Sequence, residues 1–234
     1  MTQENFTPPL LTVDSVLFTI KDNSLKILLL KRKNSPFQNS WALPGGFIDV
    51  DKDNSAEDTA SHKLTDKTGV TPPYLEQLNT FSSKSRDPRG WSASIAYFAL
   101  IAHEETNLDV TPKNDENAQW VDVGNLMDET ADYQPLAFDH RQIFQFALER
   151  LKQKALYSML PVFCLPKEFT LGEYHTLIEI ILGKSIQKKT LYRRFEASNM
   201  FEETGETVAT GARAAMLYRL KEGAKLVNFE RNLG

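Results

Sequence analysis

The stretch that most constrains this chain is PGGFIDVDKDNSAEDTASHKLTDKTGV, residues 44 to 70, in which a glycine turn and an acidic loop lead into a helix. Ser55 stands where an N-cap belongs. Glu57 and Asp58 lie in the first turn, where the helix dipole favours acids, and Gly69 with Pro72 stops the run. Positions 63, 66 and 67 are spaced i, i+3 and i+4, so a helix over 55–68 puts them on one face, able to converge on one ion. They are Lys63, Asp66 and Lys67. Magnesium takes hard oxygen ligands in near-octahedral geometry, and one carboxylate between two ammonium groups does not supply them. Asp49, Asp51 and Asp53 are the acids of the preceding loop, and they read equally well as a solvated, charged turn.

This frame resembles the Nudix box, G-x5-E-x7-R-E-U-x-E-E-x-G-U with U apolar, whose helix carries magnesium-binding glutamates. Gly46, Leu64, Gly69 and Val70 hold their places, but His62-Lys63 stands for Arg-Glu and Asp66-Lys67 for Glu-Glu. The loop is also two residues longer than the pattern. The resemblance implies the fold and not the chemistry: no catalytic residue, no metal ligand and no need of magnesium.

A chain of 234 residues holds one large or two ordinary domains. No run of about 18 apolar residues is present, and the start MTQENFTPPL lacks the basic and apolar parts of a signal peptide, so a cytoplasmic protein with no membrane partner is expected. The one cysteine, Cys164, sits in LPVFCLP and reads as a buried small hydrophobe. The net charge of −4 is uneven: residues 161 to 234 carry eleven Lys and Arg against nine Glu.

Up to residue 157 the pattern is α+β. Strands are expected at 13–20 and 25–33 around the turn KDNS, then at 74–81, 91–101 and 118–123. A helix over 139–156 follows, with Asp139 as N-cap and Ile143, Phe146, Ala147 and Leu151 on its apolar stripe. Residues 158–234 change character. FTLGEYHTLIEIILG places Leu171, Tyr174, Ile178 and Ile181 at helical spacing before Gly183; QKKTLYRRFEASNM is a second helix with Leu191 and Phe195 inward, and two strands around a glycine-containing tip complete the run. Helix, turn, helix and β-ribbon is the order of a winged helix-turn-helix.

With Leu191 and Phe195 inward, 100° per residue turns Lys189, Tyr192 and Arg193 outward, with Lys188, Thr190 and Arg194 at the flanks. That rim suits the phosphates of double-stranded DNA, and Arg213 on the wing tip adds to it. In the first half, SRDPRG sets Arg86 and Arg89 on one loop, where planar guanidinium groups fit a diphosphate. Arg32 adds a third positive charge. Phe37 and Trp41 can either stack on a base or fill the core.

Taken whole, a Nudix domain with RDPRG, the helix start LAFDH and a C-terminal winged helix resembles the NrtR group of transcriptional regulators. The resemblance implies a Nudix-type mixed sheet sandwiched by helices, followed by a winged helix-turn-helix. It further implies a homodimeric repressor of NAD biosynthesis and salvage genes, binding operator DNA and responding to ADP-ribose held by the Nudix half. A related group with the same two domains responds to sugars, and an ADP-ribose pyrophosphatase with an appended domain is the competing enzymatic reading.

Overall fold

In the computed structural model, residues 8–69, 71–106, 118–128, 135–210 and 213–230 are described; Val70 lies outside this set, as does the Arg213 side chain. The first half is a seven-stranded mixed sheet. Strand β1 (Leu10–Lys21) turns through Asp22 and Asn23 into β2 (Ser24–Lys31). Both turn residues have positive φ, 53° and 54°, the conformation of a two-residue type I′ turn that matches the twist of the strands it joins. Short strands β3 (Trp41–Ala42) and β4 (Gly45–Phe47) follow, pairing with β2 and β1.

Helix α1 (Ala56–Thr68) begins and ends as its caps dictate: the Ser55 side chain accepts from the Asp58 N–H at 3.0 Å, and Gly69 takes the left-handed conformation at φ 77°. Strands β5 (Tyr74–Ser83) and β6 (Ser92–Leu100) form an antiparallel pair, and β6 lies parallel to β1 from Leu10↔Ser92 to Phe18↔Leu100. Strand β7 (Ala118–Asp122) adds to β2, and the short α2 (Val123–Met127) follows.

Alternation along β1 and β2 sorts the sheet's two faces. Val16, Phe18, Ile27 and Leu29 join a core with Ile143, Phe144, Ala147 and Leu151 of α3 (His140–Tyr157), while Leu17, Leu28 and Leu30 meet Leu64 of α1 on the other side. The stripe expected on α3 needs one correction: Phe146 is 42% exposed and meets Phe81 edge-on, and Phe144 is buried instead. The buried arc drifts toward residues 144, 148 and 155, leaving position 146 beyond its margin.

The second half opens with a 3-10 turn (Leu160–Cys164) packed on β1 and β6. There Cys164 is buried and its thiol is pushed up to about 12 by that burial. Strand β8 (Glu168–Thr170) leads into α4 (Leu171–Leu182), whose start is a full capping box of Thr170 and Glu173. Helix α5 (Lys188–Ser198) and the ribbon β9 (Phe201–Thr210) and β10 (Arg213–Leu220) complete the winged helix, with β10 paired to both β8 and β9. Phe195 stacks on Phe201 at 4.2 Å between ring centroids, and Phe169 and Tyr174 close round it.

One apolar cluster runs without a break from Val16 in the sheet to Phe201 in the winged helix. Among the described residues no helix is long and apolar enough to cross a membrane. Because the core is shared, Phe195→Ala is expected to cost about 3 to 5 kcal/mol. Urea unfolding followed by both tryptophan fluorescence and circular dichroism should show one shifted transition, with the two signals coincident.

Candidate functional site

A cavity of about 340 Å³ opens where the start of β1, the β4 turn, the β5–β6 loop and the start of α3 meet; Arg32, Gly46, Phe47, Arg86, Arg89 and Phe138 are among its lining residues. Two guanidinium groups converge on one ring. Arg32 stands 4.7 Å and Arg89 5.8 Å from the Phe138 centroid, and Arg89 is also 5.0 Å from Phe47. Burial and the like charge of Arg89 both pull Arg32 down from its ordinary range, so this cavity favours a bound anion. The Phe138 and Phe37 rings meet edge-on at 4.8 Å, and both residues hold positive φ, 54° and 58°, a conformation costing a bulky residue on the order of 1 to 3 kcal/mol. Gly46, at φ 153°, lets the backbone approach the cavity without a side chain.

Three expected ligand contacts are placed differently. Trp41 lies on β3, packed against the main core, and its carbonyl accepts from the Ala137 N–H at 2.8 Å, so it fills the core and does not line the cavity. Phe37 reaches the cavity only through Phe138. Arg86 does line it, yet its guanidinium is committed: Nε and Nη2 donate to Asp139 at 2.9 and 2.7 Å, and Nη2 lies 3.7 Å from Asp14. Asp139 stands at the N-cap of α3 as expected, but its side chain is held by Arg86 and makes no cap hydrogen bond. Arg89 pairs within its own loop, with Asp87 at 2.7 Å, and keeps 38% of its side chain exposed.

Beneath the cavity lies Asp14, a lining residue that the strand pattern hid. Burial raises its pKa, and His140, the 2.6 Å bond from Ser94 and Arg86 together outweigh that and hold it below the usual carboxylate range. His140 accepts the Leu43 N–H at Nδ1, which leaves Nε2 to carry its proton toward Asp14 Oδ1, 3.5 Å away. An acid in a strand otherwise rich in Val, Leu and Phe was the available signal.

The magnesium site that the box pattern implies does not fit these side chains. His62 occupies its ground, with Nδ1 3.2 Å from Asp53 and Nε2 3.1 Å from Asp66, and the Lys63 Cε lies 3.6 Å from where a Cβ on Gly46 would stand. Asp53 also accepts from Thr59 at 2.9 Å; burial raises its pKa, and the Thr59 and His62 bonds outweigh it. Among the described residues no three His, Cys, Asp or Glu side chains gather as a metal would require.

On the winged helix, Lys188, Lys189, Thr190 and Arg193 are exposed along the first two turns of α5. No acid sits in its first turn and Gln187 makes no side-chain cap, so two lysines face the positive end of the helix dipole. That local conflict destabilises the helix and favours a bound phosphate. Two assignments change: Tyr192 is half-buried against the core, and Arg194 turns toward the first half, donating to the Leu156 carbonyl at the end of α3 and resting 5.6 Å from the Phe229 ring. A helical wheel gives the flank that Arg194 occupies but not the neighbour that covers it.

Comparison with known proteins covers both halves. The NUDIX domain family matches residues 11–145, and the NrtR DNA-binding winged helix domain matches residues 161–220. The ADPR responsive transcriptional repressor NtrR of Acinetobacter baylyi is 39% identical over 231 residues, 99% of this chain and 90% of that protein. The crystal structure of Shewanella oneidensis NrtR complexed with a 27mer DNA superposes with a TM-score of 0.86 at 44% identity, over 96% of this chain and 99% of that one. The NUDIX domain of the Shewanella oneidensis protein complexed with ADP ribose matches with a TM-score of 0.55 at 44% identity, over 64% of this chain and 94% of that one.

The commitment of Arg86 has a measurable cost if broken. Its side chain is 5% exposed and that of Asp139 18%, so Arg86→Ala leaves the Asp139 carboxylate without its bidentate partner. Urea unfolding is expected to show a loss of about 3 to 5 kcal/mol, as for one partner removed from a buried pair, against less than about 1 kcal/mol for a surface pair.

Proposed function

Because the chain belongs to the Nudix family and carries an NrtR-type winged helix after its Nudix domain, we propose that it is an ADP-ribose-responsive transcriptional repressor. Residues 1–157 sense the ligand and residues 158–234 bind a double-stranded operator. The protein acts as a cytoplasmic homodimer on genes of NAD biosynthesis and salvage. One observation carries the ligand assignment: Arg32 and Arg89 converge in a single cavity and repel each other there. A diphosphate relieves that repulsion through charge-assisted bonds; an uncharged sugar does not, which favours the nucleotide over the sugar-type effector. Names and complexes of the relatives agree with it, since one is called ADPR responsive and another was crystallised with DNA and with ADP ribose.

The reading makes the protein a sensor and not a hydrolase. Lys63, Lys67 and the His62 bridge leave no oxygen cage for a divalent cation, and without one the attacking water has no activator. ADP-ribose incubated with the protein and magnesium is expected to release AMP no faster than buffer alone, as read by chromatography; turnover of about 1 per second or more contradicts the assignment.

Operator binding should depend on the exposed end of α5. Arg193→Ala and Lys189→Ala are each expected to weaken binding and to lower the salt slope by about one, because each removes one phosphate contact. ADP-ribose should release the wild-type protein from its operator with a coupling of about 1 to 3 kcal/mol, measured by fluorescence anisotropy, and operator should weaken ADP-ribose binding by the same factor. Equal affinity of ADP-ribose for free and operator-bound protein contradicts the reading.

A further inference from the structure

We propose that Asp139 is the positioning residue through which the anion cavity acts on the winged helix, by competing with a bound diphosphate for the guanidinium of Arg86. The inference rests on the reading that the effector carries a diphosphate. Arg86 lines the same cavity as Arg32 and Arg89, yet it alone of the three is bound bidentately to a residue of α3's entry. A diphosphate presents more negative charge and more acceptor oxygens than one carboxylate, in a geometry that the same planar fork accepts.

Asp139 has a second place to go. It stands at the N-cap position of α3, where an aspartate side chain normally accepts from the helix's first N–H groups, and here it makes no such bond. Two arrangements are open, the second needing Asp139 to turn from its present φ −97° and ψ 21° to the extended backbone of a capping residue. In one, Asp139 holds Arg86; in the other, Arg86 holds the diphosphate and Asp139 caps α3. A pair of satisfied states is what a two-position device needs.

The far end of α3 touches the helix that carries the exposed cations. At 18 residues α3 is about 27 Å long. The carbonyl of Leu156, in its last turn, accepts from Arg194 of α5. Tyr157 accepts from the Phe229 N–H, and Ser158 pairs with Asn228. Nearer the middle, Arg150 and Lys154 both donate to Glu76 of β5, at 2.7 and 2.8 Å, so release at Asp139 tilts the helix about that anchor. The tilt reaches Lys188, Lys189 and Arg193 through Arg194, with no contact between ligand and DNA.

The test uses the full chain, with calorimetry for ligand and fluorescence anisotropy for operator. Asp139→Asn keeps the shape and the capping ability but cuts the charge competition. It is expected to bind ADP-ribose roughly tenfold more tightly and operator roughly tenfold more weakly than wild type, within the range that allosteric couplings span. A merely structural role would weaken both. Arg194→Met leaves the cavity intact; it is expected to bind ADP-ribose as wild type does and to lose the ligand-driven change in operator affinity, to within twofold.

Asp139→Asn matching wild type within twofold in both affinities overturns the proposal. So does Arg194→Met leaving the operator at the wild-type ligand concentration, and that variant decides the matter if Asp139→Asn fails to fold. If wild type ignores ADP-ribose, the functional reading fails separately, and inorganic pyrophosphate becomes the probe. Tighter pyrophosphate binding by Asp139→Asn then supports the competition, and unchanged or absent binding overturns it.

Discussion

A carboxylate buried in the middle of a central strand dictates the arrangement around the cavity. Left alone, Asp14 would be forced toward its neutral form; Ser94 from β6, His140 from α3 and Arg86 from the β5–β6 loop instead stabilise its charge. Each of these comes from a different element, so satisfying one charge brings three elements into register. Two of them, α3 and the β5–β6 loop, also wall the cavity, together with β1 and β4. Cavity and charge network are thus linked, and side chains such as Arg86 and His140 belong to both.

Helices α1 and α5 show opposite uses of the same rules. On α1 the scaffold survives: Ser55 caps it, Gly69 ends it, and Thr59, Ala60 and Leu64 are buried against the sheet. Its other face carries His62, Lys63 and Lys67, all half-buried, with His62 bridging Asp53 and Asp66. Helix α5 obeys the apolar pattern inside, with Leu191 and Phe195 buried, and violates the dipole rule at its exposed start. Two unneutralised lysines at a helix N-terminus cost stability, a cost that a bound polyanion would offset.

Much of the fold was legible because its signals are local. Caps at Ser55, Gly69 and Gly183, alternation in β1 and the apolar spacing of α4 and α5 all act within a few residues. Strands of two or three residues such as β3, β4 and β8 carry no period and went unread. The site was legible in part. Arg32 and Arg89 line the cavity as their sequence context suggested, but Asp14 and Phe138 come to it from distant segments, and no local pattern announces that. Asp139 was legible in its place and not in its contact: it stands at the N-cap as expected, but a buried guanidinium takes its carboxylate from the helix. Arg194 misled, because helical rotation places a side chain on a flank without saying which neighbour covers it.

The parallel pairing of β1 with β6 also sets a timetable for the newborn chain. The Thr19 hydroxyl reaches the Ile101 carbonyl, 82 residues further on, and every rung between the two strands spans a comparable stretch. At translation rates of roughly 5 to 20 residues per second, each residue of β1 waits on the order of 4 to 16 seconds before its β6 partner is made. During that wait the edge of β1 exposes backbone donors and acceptors beside a strand rich in Val, Leu and Phe, a template for pairing with any other nascent chain. Such non-local sheets also close slowly once complete. The architecture that gathers distant residues around one buried charge therefore makes the growing polypeptide, more than the finished protein, the form most exposed to aggregation.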